Sequence, residues 1–302
     1  MTFVNNLTSS CHNLNEAFEK RLRYFRLNKL QKLLRNPRLT VSRTALALMF
    51  NGINQPLKFK AKTFWGSDMT VVSREPVSMN ILNYGFAEED LTRFLLEYLK
   101  RNMTFFDIGA HFGFFTLLAS KIVGNSGQVH SFEPTSSTYE MLSLNSRKLK
   151  NVYLNKLAAW SKAETLALND FGAEFSAFNS FYEPRLAKEE AERIVFQQYD
   201  VQTVALDEYV YKNNLKPDFI KIDAESAEYC ILLGMDRVLK EIRPIITLEV
   251  GDMNIRDAAS SKELVLHMMN KSYLPYGFNG KVLVNHEVRE RYSCGNLLFL
   301  PR

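Results

Sequence analysis

The chain has 302 residues, 46% of them hydrophobic, and a formal net charge of +5, enough apolar material for one sizeable core and a smaller addition. No run approaches the roughly 20 apolar residues of a membrane-spanning helix. Cys11, Cys230 and Cys294 are too few and too scattered for a disulfide framework or a Cys-x-x-Cys site, and the first residues lack the pattern of a cleavable leader, so the expected setting is the cytoplasm. The charge is uneven. Residues 1–60 hold 11 Lys or Arg against Glu16 and Glu19, a local +9, while the remainder carries −4.

Leu14, Phe18, Leu22, Phe25, Leu30, Leu33 and Leu34 recur at helical spacing and predict one basic amphipathic helix over 14–34. Residues 1–60 are therefore expected to form a basic helical extension, and 61–302 the main domain. Such a helix suits an anionic membrane surface, an acidic substrate or, most commonly, packing on a neighbouring domain or subunit. Pro37 and the Asn51-Gly52-Ile53-Asn54-Gln55-Pro56 cluster punctuate the region. Residues 62–73 read as a hairpin around Gly66-Ser67-Asp68 that leads into the main sheet. A helix follows over 88–101, with Leu91, Phe94, Leu95 and Tyr98 on one face.

From there strands and helices alternate: strand 103–108, helix 114–123, strand 128–133, helix 135–148, strand 151–157. That order implies a largely parallel sheet covered on both faces. The alternation pauses over 163–203, with a short strand at 164–169 and a Gly, Ser, Asn and Phe loop over 171–185, long enough for a functional insertion. Strand 218–223, helix 226–242 stopped by Pro244, strand 245–250, helix 262–270 and closing strands 273–278 and 297–300 complete the α/β reading.

The first strand runs into Asp107-Ile108-Gly109-Ala110-His111-Phe112-Gly113, and the next ends at Glu133-Pro134. A glycine turn into a helix offers backbone N–H groups, and an acid after the second strand can accept ribose hydroxyls. The dinucleotide fingerprint needs a glycine where His111 stands, because the backbone must approach a pyrophosphate. Asp107 beside the turn suits a cation, such as the ammonium of S-adenosylmethionine, better than two phosphates. The Tyr-x-x-x-Lys pair of short-chain dehydrogenases is absent from the chain. A methyl donor, S-adenosylmethionine, is the favoured cofactor.

The motifs Phe106-Asp107-Ile108-Gly109-Ala110-His111-Phe112-Gly113, Ser131-Phe132-Glu133-Pro134 and Phe219-Ile220-Lys221-Ile222-Asp223-Ala224-Glu225-Ser226-Ala227-Glu228, with a later strand ending Leu248-Glu249, resemble those of FkbM family methyltransferases in order and spacing, over roughly residues 85–300. The resemblance implies a class I, Rossmann-like methyltransferase fold with a seven-stranded, mostly parallel sheet and helices on both faces. It also implies methylation of hydroxyl groups on sugars, polyketides or other secondary metabolites. Two positions depart from the pattern: His111 and Ser226 stand where many members carry Asn and Gly.

Methyl transfer from sulfonium to oxygen is an in-line displacement that calls for alignment and a base for the acceptor hydroxyl. Asp107, Glu133, Asp223 and Glu249 all fall at predicted carboxyl ends of strands, where α/β sites gather. Asp107, Gly109, Ala110 and Gly113 are expected at the methionine part of the cofactor and Glu133 at its ribose. His111 shapes the turn or serves as base. Asp223, Glu225 and Glu249 are the catalytic candidates on the acceptor side. The plainer alternatives are hydrogen bonds to a helix start for Asp223 and Glu225, and a salt bridge to Lys221 or Arg243 for Glu249. The same three acids suit a divalent cation in principle, but no His pair at ligand spacing supports a soft-metal site and no metal is expected. Ser176-Ala177-Phe178-Asn179-Ser180-Phe181 offers hydroxyl, amide and aromatic groups for a polyhydroxylated acceptor, or is simply a surface loop anchored by its two phenylalanines.

The leading expectation is an O-methyltransferase for a glycan, glycolipid or related hydroxylated small molecule, with no nucleic-acid partner. One alternative is a nucleic-acid-binding methyltransferase-like module, suggested by the basic segment alone. The chain lacks both the Asn/Asp-Pro-Pro-Tyr run of amino-group methylation and a Pro-Cys pair for cytosine carbon. The other alternative is an NAD-dependent dehydrogenase.

Overall fold

Leu14, Phe18 and Leu22, each four residues after the last, bury one stripe of helix α1 (Ser9–Phe25). Burial of each such side chain stabilises the fold by about 1.5–3 kcal/mol. The structure is a computed structural model that describes residues 9–53, 55–182, 196–252, 258–279 and 282–302, and it divides into two compact units, Met1–Glu97 and Tyr98–Arg302.

In the first unit, the ring of Phe18 packs 5.4 Å from Phe64 and 5.2 Å from Phe86. The single helix expected over 14–34 is two helices. The Asn28 side chain accepts from Gln31 N while Gln31 accepts from Asn28 N, a capping box that starts α2 (Lys29–Arg35). Asn36 caps α3 (Pro37–Asn51) in turn, with Pro37 in the first helical turn, where its missing N–H costs nothing. Strands β1 (Lys58–Lys62) and β2 (Asp68–Val72) form the expected hairpin, but as a separate two-stranded sheet rather than a lead into the main one. The chain leaves β2 directly into α4 (Pro76–Tyr84), whose first amides are capped by the buried Glu75 carboxylate. Helix α5 (Glu89–Tyr98) buries Leu91, Phe94 and Leu95, and its buried Arg93 pairs with Glu19 at 2.7 Å and Glu89 at 3.3 Å.

The second unit opens with β3 (Thr104–Ile108), α6 (Phe114–Val123), β4 (Gln128–Phe132), α7 (Ser136–Ser146) and β5 (Val152–Asn155). Next come β6 (Ala158–Trp160), β7 (Thr165–Asp170), β8 (Gln197–Ala205), α8 (Leu206–Lys212), β9 (Phe219–Ile222) and α9 (Glu228–Leu233). The chain closes with β10 (Ile245–Val250), α10 (Ser261–Asn270), β11 (Tyr273–Asn279), β12 (Val282–Asn285) and β13 (Gly295–Pro301).

The main sheet has the order β12-β11-β13-β10-β9-β3-β4-β5. Strands β5, β4, β3, β9 and β10 are mutually parallel, and β13 lies antiparallel between β10 and β11. Among the described residues this sheet has eight strands, not the expected seven, because β11 continues its pairing onto β12 at one edge. Phe106, Ile108, Ile220, Ile222, Ile246 and Leu248 are buried in one core that the flanking helices complete. β3 pairs with β4 on one side and with the much later β9 on the other, so the strand order reverses there, and the carboxyl ends of β3 and β9 flank the crevice where such sheets bind ligands.

Two further stretches differ from the sequence expectation. The pause in alternation falls within a three-stranded sheet that begins just before it, order β6-β8-β7, whose long central strand the irregular polar pattern hides. Residues 183–185 of the expected loop lie outside the described residues. The helix expected over 226–242 is broken: Glu225 and Ser226 have positive φ, α9 ends at Gly234, and a π-helical turn covers Val238–Ile242. Gly234 is required there, since a β-carbon would stand 2.0 Å from the Trp160 carbonyl oxygen. Among the described residues, no helix is long and apolar enough to cross a membrane.

Candidate active site

After β3 the backbone turns at Gly109, with φ of 72°, and the N–H groups of Gly109 and Ala110 both donate to the Phe132 carbonyl at the end of β4, at 3.1 and 3.0 Å. His111 and Gly113 also have positive φ, so the turn is concave toward the start of α6. The N-cap residue of that helix is Gly113, which makes no side-chain cap hydrogen bond, and a helix start of this kind offers its first amides to a ligand. Gly109 also backs onto the end of β9: a β-carbon on it would lie 1.8 Å from the Asp223 carbonyl oxygen. The cofactor-type turn and the second acidic strand end are thus in direct backbone contact.

Asp107 lies beneath the turn, 0% exposed. Thr116 Oγ1 donates to its Oδ2 at 2.6 Å. With that single proton committed, Ser131 Oγ donates to Thr116 Oγ1 at 2.8 Å. Asp107 Oδ1 is 3.2 Å from Lys221 Nζ, and that ammonium is also 3.3 Å from Asp223 Oδ2. Lys221 Nζ further donates to the carbonyls of Gly109 at 2.8 Å and Ile108 at 3.3 Å. One buried ammonium therefore ties the two acidic strand ends and the turn together. Asp223, at 22% side-chain exposure, is the more open of its two acids.

Glu133 is 6% exposed and braces two turns. Its Oε1 accepts from Thr135 N at 3.0 Å and Thr138 Oγ1 at 2.6 Å, and its Oε2 accepts from His111 N at 2.9 Å. A carboxylate has about four acceptor positions, which leaves one on Oε2.

Asp223, Glu225 and Glu249 converge at the ends of β9 and β10, each offering a carboxylate oxygen within 4.8 Å of the others. The half-buried acids form a set of hard oxygen donors, compatible in type with a divalent cation. Cys294 Sγ donates to Glu249 Oε1 at 3.2 Å, and Glu228 Oε1 accepts from Ala224 N at 2.9 Å, steadying the β9 turn. The two departures from the family pattern fall on left-handed backbone: φ is 50° at His111 and 79° at Ser226. Asn and Gly adopt that region at least cost, and His is among the residues that tolerate it.

The loop over 171–182 is fastened to all three turns. His111 Nε2 and Ser176 Oγ share a hydrogen bond of 2.8 Å, Asn179 Nδ2 donates to Thr135 Oγ1 at 3.3 Å, and Ser180 Oγ donates to the Glu225 carbonyl at 2.7 Å. Phe181 packs 5.0 Å from Trp160, so this aromatic anchors the loop. The residue that sequence reasoning undervalued is Lys221, considered there only as a partner for Glu249. Its signal was the lysine itself, in a strand otherwise apolar and buried, where an ammonium needs acceptors.

A doubly wound sheet whose glycine turn leads into an uncapped helix beside an acidic strand end defines a nucleotide-type cofactor-binding α/β protein. The model of the methyltransferase FkbM domain matches residues 107–275, and the chain belongs to that family. Its fold is that of a class I methyltransferase, and its cofactor is S-adenosylmethionine. The chain is similar to the hexuronic acid methyltransferase AglP of Haloferax volcanii, 24% identical over 162 residues that cover 53% of this chain and 61% of that protein. Among solved structures it resembles methyltransferase FkbM from Methylobacillus flagellatus KT, with 15% identity, TM-score 0.42 and coverage of 70% of this chain and 48% of that one. It also resembles Aeropyrum pernix fibrillarin in complex with S-adenosyl-L-methionine, with 10% identity, TM-score 0.42 and coverage of 70% and 72%. The chain thus spans 61% of AglP and 48% of the FkbM structure.

Proposed function

We propose that this protein is an S-adenosylmethionine-dependent O-methyltransferase acting on a hydroxyl of a glycan, a glycolipid or a related secondary metabolite. The observation that carries the reading is the contact of Gly109 with the Asp223 carbonyl, which sets the donor turn against the cluster of Asp223, Glu225 and Glu249.

The donor set fits the cofactor: left-handed backbone leading to uncapped helix amides, an acid with an acceptor position left after β4, and acids at the adjacent strand end. S-adenosylmethionine supplies an electrophilic methyl on sulfonium, so alignment of the acceptor contributes much of the rate. Gly109, Ala110, His111 and Gly113 form the wall for its methionine part. Asp107, fully buried, acts through Lys221 and the turn carbonyls. Glu133 would hold the ribose through its remaining acceptor position while it keeps His111 in place. Asp223 takes the proton of the acceptor hydroxyl on a carboxylate oxygen, a step that contributes typically 10²–10⁴-fold, and Glu225 and Glu249 orient the same hydroxyl. The name of the relative AglP, a hexuronic acid methyltransferase, supports a sugar-type acceptor.

The test is mass spectrometry of hexuronic acid oligosaccharides, polysaccharides and glycolipid extracts incubated with protein, with and without S-adenosylmethionine. Donor-dependent gain of one methyl group, lost in Asp223→Asn and retained in EDTA, is expected. Methylation on nitrogen or carbon would overturn the O-methyl assignment. Loss in EDTA with recovery in magnesium would turn the three acids from base and orienters into metal ligands.

A further inference from the structure

The apolar stripe of the N-terminal region divides in two. Its first half, Leu14, Phe18 and Leu22, is core. Its second half is not: α2 has no buried residue, and Leu30, Leu33 and Leu34 are 64%, 41% and 75% exposed at i, i+3, i+4 spacing. On α3, Val41, Leu48 and Met49 are exposed in the same way, at i, i+7 and i+8. Solvated leucines on consecutive helices are a cost that a soluble surface does not need.

Their electrostatic setting is one-sided. No Asp or Glu occurs between Glu19 and Asp68. Lys29, Arg35 and Arg38 are exposed, and no salt bridge to them is present among the described residues. Lys29 flanks the leucine arc of α2, while Lys32, on the other side, lies 4.9 Å above the Tyr84 ring and fixes the helix to its own unit. Leucines in one arc with bare cations beside them match the acyl boundary and the anionic headgroups of a bilayer. A second copy of the chain presents the same positive charge and is repelled, and a nucleic acid has no use for the leucines.

We propose that α2 and α3 form a docking surface for an anionic lipid bilayer, with the exposed leucines entering the headgroup boundary and Lys29, Arg35 and Arg38 binding lipid phosphates. The surface belongs to the Met1–Glu97 unit and is independent of the methyl-transfer chemistry.

The test is co-sedimentation of the full chain with vesicles of phosphatidylcholine alone and of phosphatidylcholine with phosphatidylglycerol. Binding to the anionic vesicles is expected, weakening steeply toward about 1 M salt. The triple variant Leu30→Ser, Leu33→Ser, Leu34→Ser should bind roughly tenfold or more weakly, and so should Lys29→Gln, Arg35→Gln, Arg38→Gln. Both sets change exposed side chains, and unchanged thermal melts separate lost binding from lost folding. Absence of binding, or binding equal on both vesicles and insensitive to both sets, would overturn the proposal. A wild-type dimer in light scattering that the serine variant converts to monomer would also overturn it, by assigning the leucines to a second copy.

Discussion

Gly109 and the carbonyl of Asp223 are packed so closely that no side chain fits between them: a β-carbon at 109 would stand 1.8 Å from the oxygen. The clash is with backbone, and φ is positive as well, so Gly109→Ala must separate the turn from the β9 end. Destabilisation of roughly 3 kcal/mol or more is expected, measured by urea unfolding, together with loss of S-adenosylhomocysteine binding in calorimetry. Wild-type stability in this variant would contradict the packing described.

Lys221 is 2% exposed between Asp107 and Asp223. Lys221→Met leaves Asp107 as a buried charge without its cation, at a cost of about 3–5 kcal/mol. Removing that charge as well, in Lys221→Met with Asp107→Asn, should recover part of the loss. The four unfolding free energies form a double-mutant cycle. Additive losses would show that the two groups are not coupled.

The sequence makes the central strands legible because they are short apolar runs bounded by turn residues. β3, β4, β9 and β10 fall within a residue or two of their expected limits. The positions of Asp107, Glu133, Asp223 and Glu249 follow from that periodicity. What the periodicity misses is set by tertiary contact. Gly234 breaks the helix after β9 because of Trp160, a neighbour 74 residues earlier in the chain. β8 is recognisable only through its partners β6 and β7. Helical spacing continues across 26–28, where a local capping box makes two helices of one pattern. The duties of Asp107 and Glu133 as braces are also invisible in sequence, since Lys221 and Thr138 reach them only in the fold.

His130 on β4 is 5% exposed, shares a hydrogen bond of 2.8 Å with Tyr209 and stacks on Tyr153. Burial pushes its pKa down to about 4 from the ordinary imidazole value of 6.5. The folded state therefore binds fewer protons than the unfolded state between these values. Its stabilising contribution is fully present above pH 6.5 and is lost as pH falls toward 4, by up to roughly 3 kcal/mol. Urea unfolding across this range should show the slope in wild type and a shallower one in His130→Phe. Equal slopes would contradict the assignment.

Glu133 and Asp223 should separate binding from turnover. Glu133→Ala removes three in-chain hydrogen bonds to a carboxylate and should weaken S-adenosylhomocysteine about tenfold or more. Asp223→Asn keeps the shape of the β9 end, so binding should change little while kcat falls by roughly 10²–10⁴. Isothermal calorimetry and initial rates on the same preparations check both. Intact turnover in Asp223→Asn would remove it as the base.

The central claim is that the turn beside Glu133 and Asp223 is a methyl-donor site and not a dinucleotide site. Calorimetric titration of the wild-type chain with S-adenosylhomocysteine and, separately, with NAD addresses it most directly. Saturable binding of S-adenosylhomocysteine with no heat from NAD is the predicted result; NAD binding without S-adenosylhomocysteine binding would contradict it.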